Sequence, residues 1–388
     1  MSHEVDVKLL EDIRKFGTGG TLDVNACFNC GNCTAICPLA QESSGFPRRV
    51  IRMAQVGMRE ELLADEEIWN CYACGECTQT CPRQADPAQF MAAARSYAIS
   101  RYDMTGISRL MSGSLGGLLG VFVALSTFFT LLLLSKRGDP QGHPLALFEF
   151  IPGEWVHRIG IVLFAVIGLS AIAGLLSMAY RVIRRKHAAQ QAAFSLSGLI
   201  PAILYAVSES LSHRRFLPCE TDQESQPTHL RPWFVHASIM GGFLAMLAAT
   251  TLDYLFKPIG SMVPPWNPVR ILGTLGGLVC LYGVTVAISR RLRGTEVPYN
   301  RSASTDWFFL LLLAATVSTG LLTEIVVYLP RPTALGYILF LSHIVLAMDL
   351  IVLMPMTKFA HVLYRPAALT LHRWADARAT QSVAVSEL

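Results

Sequence analysis

Apolar residues follow two patterns along this chain, and the change comes near residue 114. Before it the runs are short. Residues 5–16 place apolar side chains at helical spacing and then meet Gly-Thr-Gly-Gly, a stop. Residues 47–64 read as one or two short helices, with Pro47 at the start and Gly57 at a break. Residues 88–102 predict a closing helix. After the change, six runs are long enough to cross a ~30 Å hydrocarbon core, which takes roughly 20 helical residues. They lie near 115–135, 157–180, 233–252, 269–289, 307–328 and 335–358. A seventh run, 192–211, is broken by Pro201, several Ser and Glu209. It reads better as an amphipathic helix on the cytoplasmic interface than as a span. The expected fold is all-α: a small helical domain over 1–105, a six-helix transmembrane bundle over 106–365 and a loose polar tail over 366–388.

Composition agrees with the spans. Of 388 residues, 52% are hydrophobic and 15% charged, which is too apolar for an ordinary soluble protein. The net charge of +4 is small, and no nucleic-acid partner is expected. The distribution of the charge says more. With the N-terminal domain inside, the inner segments carry Arg181, Arg184, Arg185, Lys186, Arg214, Arg215, Arg231, Arg290, Arg291, Arg293, Arg301, Lys358, Arg365, Arg373 and Arg378. The outer ones carry only Lys136, Arg137, Arg158, Lys257, Arg270 and Arg331. That bias predicts a multi-pass protein of the cytoplasmic (inner) membrane with both termini cytoplasmic. The first 25 residues are charged and lack the apolar core of a signal peptide.

The chemistry begins with cysteine. Cys27-x2-Cys30-x2-Cys33-x3-Cys37-Pro38 is repeated as Cys71-x2-Cys74-x2-Cys77-x3-Cys81-Pro82. Zinc sites use pairs of Cys with a distant partner pair; two complete four-Cys runs closed by Pro fit the two-cluster ferredoxin pattern instead. In that pattern the fourth Cys of each run serves the other cluster. The expected ligands are Cys27, Cys30, Cys33 and Cys81 for one [4Fe-4S] cluster and Cys71, Cys74, Cys77 and Cys37 for the second. Reduced thiols also argue for a cytoplasmic domain. Trp69, two residues before the second run, is either an apolar shield for a cluster or core packing, and Cys280 a packing residue.

Histidine supplies the second constellation. His3, His143, His187, His213, His229 and His372 read as solvated or interfacial. His236, His343 and His361 fall in or beside spans, where an ionisable side chain marks function by default. On one continuous last helix, His343 and His361 would be 18 residues, or ~27 Å, apart on the same face, one near each surface. His236 enters its span from the inside, so His236 and His361 are the expected ligands of an inner haem b. The outer haem would use His343, with His157 or Met246 opposite it, or one axial ligand, or be absent. At minimum one haem is expected. Each His can instead be a hydrogen-bonded packing residue. Asp349 and Glu324 are candidates for handling quinone protons, and a hydrogen bond from Asp349 to a neighbouring Ser or Thr is the plainer alternative. No G-x-G-x-x-G motif follows a predicted strand, so no flavin or nucleotide site is expected.

These residues carry a resemblance. Both four-Cys runs, Pro47-Arg48-Arg49 and Trp69 resemble the small iron–sulfur subunit of heterodisulfide reductases. His343 and His361, His236 with Gly241-Gly242-Phe243, and His213-Arg214-Arg215-Phe216 followed by Cys219 resemble the cytochrome b subunits of heterodisulfide reductase and the gamma subunit of respiratory nitrate reductase. Met246 stands where the nitrate-reductase pattern has a second His. The fusion of both halves resembles the C-type membrane subunits of the quinone-interacting membrane-bound oxidoreductase complexes of sulfate reducers and some sulfur oxidisers. The resemblance implies two b haems, menaquinone as substrate, two soluble flavin/iron–sulfur subunits on the cytoplasmic side and adenylylsulfate reductase beyond them. The expected activity is that of an electron-transfer subunit linking menaquinone or menaquinol, b haems and two [4Fe-4S] clusters. The alternatives are a heterodisulfide-reductase-type membrane subunit of another respiratory complex, or a haem-free anchor for a ferredoxin module.

Overall fold

The computed structural model describes residues 5–17, 22, 24–42, 45–139, 146–188, 196–217, 226–256, 263–294, 299–300, 302–328 and 333–376. Cys219 and the last twelve residues, 377–388, lie outside them. The N-terminal domain contains α1 (Leu9–Arg14), α2 (Asn32–Ile36), α3 (Arg48–Gln55), α4 (Arg59–Leu63), α5 (Glu76–Gln79) and α6 (Pro87–Tyr102). Then come α7 (Ile107–Gly113), α8 (Leu115–Leu134), α9 (Ala146–Phe150), α10 (Gly153–Ala188) and α11 (Leu196–Ser212). The chain continues with α12 (Pro232–Phe256), α13 (Pro268–Arg293), α14 (Ser304–Val327), α15 (Ala334–Leu353) and α16 (His361–Asp376). Among the described residues there is no strand.

Among the described residues six helices are long and apolar enough to cross a membrane: α8, α10, α12, α13, α14 and α15 with its extension to Met356. They coincide with the six expected runs. Their outward faces present Val123, Phe128, Leu169, Leu176 and Leu278, side chains that only lipid can cover without cost. The α12–α13 pair packs closely because a seam of Gly242, Gly276, Cys280 and Gly283 puts backbone against backbone. Cys280 is fully buried there, as a packing residue. The shorter apolar helix α11 buries Ala202, Ala206 and Glu209 on one side and exposes Leu196, Ile200 and Leu204 on the other.

Helix α10 has 36 residues, about 54 Å at 1.5 Å per residue, and so outruns the hydrocarbon core by several turns. Its basic end reaches the N-terminal domain. Arg185 pairs with Asp65 at 3.2 Å, Lys186 with Glu66 at 2.5 Å, and Arg181 with Glu60. Arg49 closes the set from within the domain, 2.9 Å from Asp65 and 2.6 Å from Glu67. The apolar packing is continuous with this seam. Leu9, Ile13, Val50, Leu62, Trp69, Phe90 and Tyr97 share one core with Met178 and Val182 of α10 and Ala360, Tyr364, Ala368 and Leu371. Trp69 stacks on Tyr364 at 4.8 Å between ring centres, so its area packs the domain onto α16.

The structure corrects one expected element. His343 and His361 do not share a helix: α15 ends at Leu353, Met354–Met356 and Lys358–Ala360 are single 3-10 turns, and α16 starts at His361. Pro355 lacks an N–H and its ring crowds the preceding turn, which disfavours a continued α-helix, and here α15 ends two residues before it. Thr357 is extended, and its hydroxyl accepts from Phe359 N at 3.4 Å to start the next turn. The helix after the break packs against α10, α11 and the Glu66–Trp69 turn. Residues 366–376, expected in the tail, are therefore a packed helix with Ala368, Leu369, Leu371 and Ala375 buried.

Glu66 is the most strongly held carboxylate of the seam. Burial works upward on it, but His372 and Lys186 outweigh burial and hold it down at about 2. Burial pushes its neighbour Asp65 up to about 6 in spite of Arg49. A folded value below the unfolded one stabilises above the unfolded pKa, and that stability is lost as pH falls. The drop from 4.5 to about 2 corresponds to about 3 kcal/mol at 1.36 kcal/mol per unit. Glu66→Gln is expected to destabilise the docked N-terminal domain by that order at pH 7, with the gap to wild type closing between pH 4.5 and 2. Denaturant unfolding of both proteins in detergent across that range checks it.

Candidate functional site

The two cysteine loops adopt the same local backbone. Asn29 and Ala73, one residue before Cys30 and Cys74, are left-handed at φ 63° and 55°. Gly31 and Gly75, one residue after, are left-handed at φ 91° and 94°, a conformation glycine takes without a Cβ penalty. Each loop then enters a short helix, α2 or α5, and these pack together. Asn32 Nδ2 donates to Thr80 O at 2.6 Å across the pair. The fold thus brings each Cys-Pro end to the other loop.

The thiols of each loop lie close enough to raise one another. Burial raises Cys33, and Cys27, Cys30 and Cys81 add to it. Burial likewise pushes Cys37 up to about 11, with Cys71 and Cys74 contributing. Cys77 is raised by burial and by Cys71 and Cys74 more than by Cys33 or Cys37. Cys37, Cys71, Cys74 and Cys77 line one cavity with Leu39, Phe46, Ala88 and Met91. Four sulfurs at about 2.3 Å from one zinc would converge on a point. Among the described residues no three His, Cys, Asp or Glu side chains do so, and these four thiols surround a volume instead. That arrangement fits a cube rather than a single ion.

A cluster of imidazoles shares neighbours with the second loop. The rings of His236 and His361 have centres 6.0 Å apart. With metal–nitrogen bonds of about 2.0–2.1 Å and roughly 1.1 Å from nitrogen to ring centre, two imidazoles facing one metal ion have centres about 6 Å apart. His361 Nδ1 donates to Lys358 O at 2.6 Å, which leaves Nε2 bare. His236 Nδ1 is 2.8 Å from His213 Nε2. In both ligand candidates Nδ1 is engaged and Nε2 is available, the usual state of a metal-binding His. Burial holds His361 down at about 4, so the ring is neutral, as ligation requires. His213, expected to be solvated or interfacial, is buried and touches His236, a contact that sequence spacing cannot reveal because it crosses a loop.

The imidazoles and the second cysteine loop share their supports. Arg95 Nη1 donates to Cys71 O at 2.9 Å and stands close to His361. Arg365, one turn after His361, sits 3.7 Å over the ring of Tyr72, the residue after Cys71. Tyr72 donates to Glu209 Oε1 at 3.0 Å, and Glu209 also accepts from Arg215 N at 2.8 Å.

The remaining candidates are spread through the bundle. His343 is near the middle of α15 rather than at its outer end, against α14. Its Nδ1 donates to Thr316 O at 3.0 Å, and a Cβ on Gly320 would come within 2.8 Å of its ring. His157 packs edge-on against Tyr254 at 5.1 Å, and the Met246 sulfur lies beside Gly277; neither is brought to His343 by a described contact. Ser126 Oγ donates to Asp349 Oδ2 at 2.5 Å, the plainer of the two expected roles, while Oδ1 is buried without a partner among the described residues. Glu324 accepts from Thr274 at 2.8 Å and lies 4.0 Å from Arg270.

Comparison with known proteins matches both halves. Residues 23–85 match the 4Fe-4S dicluster domain, and residues 110–383 match the family described as citrate utilization protein B. The chain is 33% identical over 91 residues to the iron–sulfur C-subunit of the CoB–CoM heterodisulfide reductase of Methanopyrus kandleri, covering 24% of this chain and 47% of that one. It is 34% identical over 113 residues to a protein of Archaeoglobus profundus described as like the C-subunit of heterodisulfide reductase, 28% and 58% of the two chains. It is 35% identical over 65 residues to the C-subunit of the H(2):CoB-CoM heterodisulfide,ferredoxin reductase of Methanothermobacter marburgensis, 17% and 34%. The chain spans about half the length of the curated relatives it matches, or less. No solved structure gives a significant match.

The grouping of the thiols makes a specific demand. Cys37→Ser is expected to disturb the cluster whose other ligands lie in the 71–77 loop, and Cys81→Ser the one held by 27–33. Iron content should fall in each, with different components of the reduced-state electron paramagnetic resonance spectrum lost. Loss of the same component in both variants would refute the crossover.

Proposed function

The chain belongs to the citrate utilization protein B family over residues 110–383, and from that premise we propose that it is the quinone-linked membrane electron-transfer subunit of a multi-subunit oxidoreductase. In outline it is a multi-pass iron–sulfur protein similar to the C-subunits of heterodisulfide reductases. The observation that carries the electron-transfer reading is adjacency. A pair of imidazoles spaced for one metal ion lies against the loop of Cys71, with Arg95 and Arg365 touching that loop and flanking His361.

In this reading Cys27, Cys30, Cys33 and Cys81 hold one [4Fe-4S] cluster, and Cys71, Cys74, Cys77 and Cys37 hold the other. His236 and His361 would present Nε2 to an inner haem b, and His343 would be the protein ligand of a second haem. Bound haem and clusters supply one-electron steps, at potentials their surroundings set. The protein's own part is to hold these groups in line and to manage protons. Asp349 suits proton exchange with menaquinone or menaquinol better than Glu324, because one of its buried carboxyl oxygens is unpaired while Glu324 is tied to Arg270 and Thr274. The cluster domain and both termini lie on the cytoplasmic side of the inner membrane, as the Lys and Arg bias supports. There the 27–33 loop, with Cys30 and Phe28 exposed, faces soluble flavin/iron–sulfur partner subunits. Following the resemblance, two such subunits connect the chain to adenylylsulfate reductase in dissimilatory sulfur metabolism.

Purified protein is expected to give a pyridine haemochrome spectrum of b-type haem, with the bound haem reduced by a menaquinol analogue. His361→Ala should lose the inner haem and keep both clusters by iron and sulfide content. Absence of b-type haem from the wild-type protein, or a His361→Ala variant with unchanged haem content and spectra, would refute this reading.

A further inference from the structure

The partner of His236 is another imidazole, and the geometry settles the direction of every hydrogen bond in the chain they form. His213 Nδ1 lies 3.2 Å from Leu211 O. A carbonyl only accepts, so His213 carries its proton on Nδ1. In a neutral ring Nε2 is then a bare acceptor, and it faces His236 Nδ1 at 2.8 Å. The proton between them belongs to His236. His236 Nε2 is therefore unprotonated and open on the side of His361, whose ring centre is 6.0 Å away.

The placement of His213 is built into the backbone. It follows the last residue of α11 at φ 54°, a left-handed conformation that strains the backbone of a non-glycine residue. Three contacts hold the turn. His213 N donates to Glu209 O at 3.0 Å, Phe216 N donates to His213 O at 2.9 Å, and the Glu209 carboxylate is gripped by Arg215 N and the Tyr72 hydroxyl. The turn is thereby fixed to the Cys71 loop. Its ring is buried, unlike an ordinary residue at a helix end.

The two ligand candidates differ in one respect. His361 donates to a backbone carbonyl. His236 donates to an imidazole nitrogen, a stronger base than an amide oxygen. A stronger acceptor on Nδ1 draws the ligand toward imidazolate character, raises the basicity of Nε2 and favours the oxidised metal. We propose that His213 is a positioning residue for the inner haem: it fixes the tautomer and orientation of His236 and lowers the reduction potential of that haem. This rests on the haem reading of His236 and His361.

The test uses the full-length protein in detergent, as wild type, His213→Ala and His213→Gln, with haem quantified and potentials titrated at the b-type absorption band. Both variants are expected to retain haem. His213→Ala should shift one component of the titration to higher potential and leave the rest in place. His213→Gln, whose Oε1 can accept the same hydrogen but is the weaker amide acceptor, should shift that component less than His213→Ala does and not return it fully to wild type. Superimposable titrations of wild type and His213→Ala would overturn the inference alone. So would equal shifts in the two variants, the signature of mere loosening. Loss of the low-spin haem signal in His213→Ala with its retention in His236→Ala would make His213 the ligand and overturn the positioning role. A wild-type protein without b-type haem would overturn the underlying reading and the inference with it.

Discussion

A buried seam of charge holds this molecule in register. Asp65 and Glu66 are almost fully buried, and their partners Arg185, Lys186 and His372 come from two helices of the C-terminal part, α10 and α16. Buried ions are tolerated only when paired and hydrogen-bonded, so a shifted docking would leave several charges stranded at once. Within the seam Glu66 is the stabilising carboxylate, and Asp65, held well above its usual value by burial, adds to position more than to stability. Its strength is selectivity of position. The apolar core that surrounds it, from Trp69 to Tyr364, would accept small slips; the ion pairs would not.

That register decides what lies beneath the cysteine loops. Helix α10 can supply the seam only because it outruns the membrane, and α16 only because Pro355 ends the last span before it. The break frees His361 from the bundle and lets its helix pack under the Cys71 loop. The same helix then serves three contacts within twelve residues: His361 faces His236, Arg365 covers Tyr72, and His372 meets Glu66. The inner imidazole pair is thus an interface site, shared between α12, the α11 turn and α16. His343, in contrast, is a residue of the bundle proper, set against a glycine of α14.

Local signals carry a large part of this. Two repeated Cys runs and six apolar stretches of spanning length are short-range features, and the folded chain keeps both. His236 and His361 are legible as a pair because charge bias assigns both to the inner side. The shared helix is not sound, because the apolar run continues through Pro355 and hydropathy ignores the missing N–H. His213 reads as solvated because its neighbours Arg214 and Arg215 are polar. Its burial depends on where α11 lies, which no periodicity encodes.

The sequence by itself determined the kinds of element, the cysteine cages and the bias of charge across the spans, since these follow from spacing, backbone preference and hydropathy. Only the tertiary structure decided how the two halves meet. That depends on which buried charges find each other over separations of more than a hundred residues, as Asp65 and Glu66 do with α10. The pairing of His213 with His236, and the turn of α16 that brings Arg365 to Tyr72, are consequences of that docking.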